Sequence, residues 1–203
     1  MRLILASGNA KKRAELERLL EPLDVEVVGP AEIGGLPEVI EDRPTFEGNA
    51  EKKAVSAALA TNSWALADDS GLVVDALDGA PGVRSARYAG EPSDDARNNA
   101  KLLEALSGLP PERRKAHFVC VLALARPDGS VAAAFRGETH GRILEEARGE
   151  GGFGYDPLFL FDEPDRAESG QTFAELGSEA KGRISHRGRA LVSLAAALPE
   201  LVG

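Results

Sequence analysis

Apolar positions along this chain switch between two periods. Leu3 to Ala6 form an apolar block that predicts a short strand, and behind it Leu16, Leu19, Leu20 and Leu23 recur at the three- and four-residue spacing of a helix. Residues 24–29, DVEVVG, alternate as a strand does. In TFEGNAEKKAVSAALA (45–60), Phe46, Ala50, Ala54 and Ala57/Ala58 share one helical face, with Asn49 and Lys53 one turn apart on an adjoining face. SWALADDSGLVVDAL (63–77) predicts strand, polar turn, strand. DDARNNAKLLEALSGLPP (94–111) predicts a helix stopped by Gly108 and two prolines. After it, HFVCVLALARPDGSVAAAFRGETHGRIL (117–144) predicts two β-rich runs joined at Pro127-Asp128-Gly129, a hairpin signal. The Gly-rich EARGEGGFGYDPLFLF (146–161) follows, and SHRGRALVSLAAALPELV (185–202) closes the chain as a helix with an apolar face.

Short strands alternating with helices through the first hundred residues are an α/β pattern. With the β-rich second half, and with neither internal repeats nor a Pro/Ser-rich linker, the chain is expected to form one domain over residues 1–203. That domain should hold a mixed central sheet flanked by helices, in two lobes with an active-site cleft between them.

Composition narrows the function. The 203 residues, 43% hydrophobic and 28% charged, suffice for a full core and exclude disorder as a reading. No apolar run approaches the roughly 20 residues of a membrane span, and the apolar start is too short for a signal peptide, so a cytoplasmic protein without a membrane partner is expected. The formal net charge of −9 argues against general nucleic-acid binding, which needs an electropositive face. Cys120, the single cysteine, lies in an apolar strand and is expected to be a core thiol rather than a nucleophile.

Against that acidic background, two lysines stand directly behind a Ser-Gly-Asn turn in ILASGNAKKRAE (4–15). A strand, a tight turn and a helix start with Asn9 as N-cap offer free backbone N–H groups and the positive end of a helix dipole to an anion. Lys11 and Lys12 add charge where the dipole alone disfavours it. Asp68 and Asp69 stand at the end of an apolar strand before Ser70-Gly71, a pattern that reads either as a site or as an ordinary turn. Successive strand residues face opposite ways, so at most one of the two acids should enter a given site. Glu41 and Asp42 lie in a loop before the Lys53 helix, and one acid from there with one from 68/69 would suffice for Mg²⁺. GGFGYDPLF (151–159) places Phe153 and Tyr155 among glycines, which suits close approach to a flat ligand or a plain β-turn. Lys181, Arg183, His186, Arg187 and Arg189 crowd into nine residues at the start of the last helix. No two histidines have metal-ligand spacing. The Walker pattern and a complete dinucleotide fingerprint are both absent. Taken together, the clusters describe a site for a magnesium-bound nucleoside triphosphate.

On ASGNAKKRAEL, TFEGNAEKKA, ADDSGLVVDALDGAPGVRSARYAG, GGFGYDPLF and KGRISHRGRAL, nearly end to end, the chain resembles the inosine/xanthosine triphosphate pyrophosphatase family. The resemblance implies hydrolysis of deaminated purine nucleoside triphosphates (ITP, dITP, XTP, dXTP) to monophosphate and pyrophosphate, clearing them before incorporation into DNA or RNA. It implies that Ser7, Gly8, Asn9, Ala10, Lys11 and Lys12 wrap the triphosphate, with Lys53 as a second cation. Glu41 and Asp69 would hold one Mg²⁺ per subunit, Asp69 would also be the general base, and Ser70 would touch substrate. Phe153, Gly154, Tyr155 and Asp156 would form the base-side loop, and Lys181, His186 and Arg187 would read the purine, whose 6-oxo group would pair with those side chains or with backbone donors near Phe153. A homodimer is implied as well. A pyrophosphatase of other nucleotides and a non-catalytic nucleotide-binding module are the competing readings.

Overall fold

The computed structural model describes residues 1–7, 13, 14, 16, 17, 20, 21 and 25–202. Gly8, Asn9, Ala10, Lys11 and Lys12 lie outside the described residues. The elements are β1 (Arg2–Leu5), β2 (Glu26–Val28), α1 (Phe46–Thr61), β3 (Trp64–Val74), α2 (Asp95–Ala105), β4 (Lys115–Ala125), β5 (Val131–Ile143), β6 (Phe159–Phe161), α3 (Ser178–Ile184) and α4 (His186–Val202). Residues 13, 14, 16, 17 and 20 are helical too. Six strands form one sheet in the order β2-β1-β3-β4-β5-β6. β1 runs parallel to β2 and β3, and β6 is antiparallel to β5, so the sheet is mixed and the fold α/β, as expected.

The chain divides into two compact units, Met1–Asp69 with Cys120–Gly137 and Arg187–Gly203, and Ser70–Val119 with Glu138–His186. In the first unit, the aliphatic rows of β1, β3 and β4 (Leu3, Leu5, Leu66, Leu122, Leu124) pack with Leu191, Leu194 and Leu198 of α4. Cys120 is a buried thiol in this core. α1 buries Phe46, Ala50, Ala54, Ala57 and Ala58, the stripe its sequence shows, and Thr45 caps it by accepting from Gly48 N–H. In the second unit the core is aromatic: Phe118, Phe159, Phe161 and Phe173 with Leu102 of α2 and Leu106 just beyond its end. Buried Arg114 donates to the carbonyls of Leu106, Ile143 and Leu144, each at 2.8 Å, so its charge serves as a three-way tie between segments.

The hairpin at Pro127-Asp128-Gly129 is present, with Gly129 at φ +83° and Arg126 N–H bonded to Ser130 O. One expectation fails. Trp64–Val74 is a single uninterrupted strand, with no turn at Asp68–Gly71. Asx turns form when a carboxylate satisfies its own neighbouring backbone; here both carboxylates have long-range partners, and the strand runs on.

Candidate functional site

The first unit gathers a cation, two carboxylates and an amide. Asn49 and Lys53 stand one turn apart on α1, beside its alanine stripe. Lys53 Nζ lies 2.6 Å from Glu41 Oε1 and 3.7 Å from Asp69 Oδ1, so one ammonium serves both acids. Asn49, only 1% exposed, is satisfied on both sides of its amide. Its Oδ1 accepts from Arg43 N–H at 3.0 Å, and its Nδ2 donates to Arg43 O at 3.3 Å and to Asp69 Oδ2 at 3.1 Å. One buried side chain thereby fixes the loop that carries Glu41 and orients Asp69. Nearby, Ser7, Lys53 and Ser56 supply the polar lining of a cavity of about 290 Å³ whose other walls include Leu36 and Val39.

Asp68 and Asp69 part company, as strand alternation requires. Asp68 Oδ2 lies 3.8 Å from Arg187 Nη2, while Asp69 faces Lys53 and Asn49. Burial pushes the Asp69 carboxyl up to about 6, opposed by Lys53 and assisted by the charge of Glu41. At neutral pH such a group is mostly ionised yet close enough to its pKa to accept a proton effectively.

Two carboxylates sharing one ammonium make an oxygen-only donor set. Mg²⁺ takes one or two carboxylates and completes its shell with water and phosphate oxygens, so Glu41 and Asp69 fit it. Among the described residues, no three His, Cys, Asp or Glu side chains converge as a metal cage.

The second unit gathers the aromatic loop and the basic cluster. Asp156 Oδ2 accepts from Phe153 N–H at 2.8 Å and from the Lys181 ammonium. A β-carbon at Gly152 would sit 2.2 Å from Asp156 Oδ2, so only glycine permits this arrangement. Lys181 Nζ stands 5.0 Å from the Phe153 ring centre and 5.3 Å from that of Phe173. Phe153 is half exposed and offers its ring to solvent. Tyr155 is buried and donates its hydroxyl to Ser85 O at 2.8 Å; burial raises its phenol well above the usual range. His186 stacks on Phe118 with ring centres 4.8 Å apart and 16° between planes, with Phe173 beyond it. His186 is 8% exposed, with its ring packed against phenylalanines.

The structure thus brings Glu41, Lys53 and Asp69 together in one unit and Phe153, Asp156, Lys181 and His186 in the other. Arg187 is paired with Asp68 in the first unit, and Ser70 follows Asp69 on β3 in the second. Two backbone donors of this loop are engaged within the protein: Phe153 N–H with Asp156 and Gly154 N–H with Asp95 at 2.7 Å. Sequence reading placed Asn49 on its helix face without a role and gave none to Phe118, Asp95 or Asn99. A polar residue bordering an all-alanine stripe was the available signal for Asn49. The other three have no local signature.

A sequence model of the Ham1 family matches residues 3–197. The chain is 56% identical to a protein of Desulforamulus reducens named dITP/XTP pyrophosphatase, over 94% of this chain and 92% of that one. A protein of the same name from Geobacter sulfurreducens is 52% identical, over 95% of this chain and 94% of the other. Among solved structures, a HAM1 protein from Coxiella burnetii superposes with a TM-score of 0.90 at 42% identity, covering 98% of this chain and 99% of that one.

Proposed function

This chain belongs to the Ham1 family, and on that premise we propose that it hydrolyses deaminated purine nucleoside triphosphates to monophosphate and pyrophosphate. The observation that carries the chemistry is Asp69: a buried carboxylate on a strand, held by Asn49, facing Lys53 and Glu41. In this reading both units act as one pyrophosphatase domain. The first, with Ser7 through Lys12 and Lys53, takes the triphosphate. The second, with Phe153 to Asp156, Lys181 and His186, takes the base, and Ser70 contacts substrate.

Water attacks the α-phosphorus, and Asp69 accepts its proton as the bond to the bridging oxygen breaks and pyrophosphate leaves. Lys53 and the lysines behind Gly8 oppose the charge that develops on the departing group. Glu41 and Asp69 would hold one Mg²⁺ per subunit, which supplies electrostatic stabilisation of the phosphate oxygens when bound. A 6-oxo purine accepts hydrogen bonds from Lys181 and His186, whereas a 6-amino purine leaves such donors unpaired, at about 1–3 kcal/mol for each buried group. A homodimer in the cytoplasm completes the reading. Among the described residues, no helix is long and apolar enough to cross a membrane.

The test is product analysis with Mg²⁺ and ITP, XTP, ATP, GTP, UTP and dTTP in parallel. Selective release of pyrophosphate from ITP and XTP is expected. Release mainly from pyrimidine nucleotides would move the protein to another nucleotide pyrophosphatase activity, and binding without turnover would make it a binding module.

A further inference from the structure

The segment from Phe153 to Asp156 is held from outside by the first turn and a half of α2. Gly154, at φ +60°, is tied on both sides of its residue: its N–H donates to Asp95 Oδ2 at 2.7 Å, and its carbonyl accepts from Asn99 Nδ2 at 3.0 Å. Asp95 and Asn99 are four residues apart and lie on one helix face. Gly154 is 59 residues from Asp95 and 55 from Asn99, so this is a long-range clamp. The neighbouring Asn98 is used differently, accepting from Ala89 N–H at 2.7 Å and donating to Ala86 O at 3.0 Å.

Two details separate the clamp from ordinary packing. Asn99 Oδ1 is buried without a hydrogen-bond partner among the described residues, so the amide serves Gly154 through Nδ2 while its other end works against stability. The assignment of the two ends follows from the contact, since the opposite orientation would set two oxygens against each other. The clamp also continues into the residues around the base loop. Gly154 lies between Phe153, whose N–H is fixed by Asp156, and Tyr155, whose hydroxyl is fixed by Ser85. Asp156 in turn holds Lys181, and Lys181 stands over the Phe153 ring.

We propose that Asp95 and Asn99 are positioning residues that set base affinity and base selectivity by fixing Gly154, and hence the place of Phe153 and Lys181. This rests on the assignment of the 153–156 loop to the purine. The clamp also removes the Gly154 N–H from the donors open to substrate.

Asp95→Ala, Asn99→Ala and the double variant should be compared with the parent protein and with Asp95→Asn, which keeps an acceptor for Gly154 N–H. Three readouts are needed: steady-state kinetics with ITP and ATP, inhibition by inorganic tripolyphosphate, which has no base, and thermal stability. The double variant should raise KM for ITP about tenfold, with kcat within about threefold, and lower the ITP-to-ATP ratio of kcat/KM. The tripolyphosphate inhibition constant should not move. Asp95→Asn should recover most of the loss, and Asn99→Ala should not lower the melting temperature. Unchanged KM in the variants, or equal weakening of ITP and tripolyphosphate, would overturn the proposal. If the double variant does not fold, the single variants decide by the same criteria. Absence of ITP turnover by the parent protein is a separate outcome that removes the base-loop assignment itself.

Discussion

Asp69 is expensive to ionise where it sits, and that has a thermodynamic signature. Its carboxyl is raised from 3.8 to about 6, so the folded protein binds this proton more tightly than the unfolded chain does. The sign follows from linkage: the contribution to stability is full below about pH 4 and is lost as pH rises through about 6, amounting to about 3 kcal/mol by neutral pH without metal. Asp69→Asn has no such loss. It should abolish turnover, leave nucleotide binding detectable, and melt several degrees above the parent protein at pH 8 in EDTA, with the gain vanishing near pH 4. Thermal melts at the two pH values check this, and near-normal kcat in the variant would remove Asp69 from the role of base. The sequence made Asp69 visible as an acid in an apolar strand, but it also suggested a turn there. What decided against the turn was the pair of partners, Arg187 for Asp68 and Asn49 with Lys53 for Asp69, and partnership across 20 or 119 positions has no local trace.

Elements with a strong period were the most legible. α1 was readable to within a residue or two because its alanine stripe, Thr45 cap and buried Phe46 all agree. The Pro-Asp-Gly hairpin was readable because turn chemistry is local. β6 was harder, since three residues carry little periodicity and its place beside β5 is set by contact. There, Gly141 of β5 faces Leu160 so closely that a β-carbon would lie 2.1 Å from Leu160 O. Backbone offers no flexible end that could yield. Gly141→Ala should therefore break the β5–β6 pairing and cost about 3 kcal/mol, measured by urea unfolding, with Phe159 and Phe161 losing their place in the aromatic core.

For the molecule as a whole, a net charge of −9 opposes an anionic substrate, and the two acids around Lys53 outweigh its charge unless a divalent cation joins them. Binding to the folded state alone stabilises by mass action, so Mg²⁺ at about ten times its dissociation constant should add about 1.4 kcal/mol, or roughly 3–5 °C for a chain of this size. Melting temperature with Mg²⁺ against EDTA measures this, and Asp69→Asn should lose most of the increment. The unbroken β3 strand has a further consequence. Asp68 and Asp69 are told apart only by which side of the ribbon each occupies, a parity rather than a chemical difference. Deleting one residue between Trp64 and Ala67 keeps the strand apolar and pairable, yet it hands the partner of Asp68 to Asp69 and that of Asp69 to Ser70. This stretch should therefore accept changes of side chain readily and changes of length hardly at all, so that in a library of variants the reading frame of the ribbon, more than its composition, would be what selection protects.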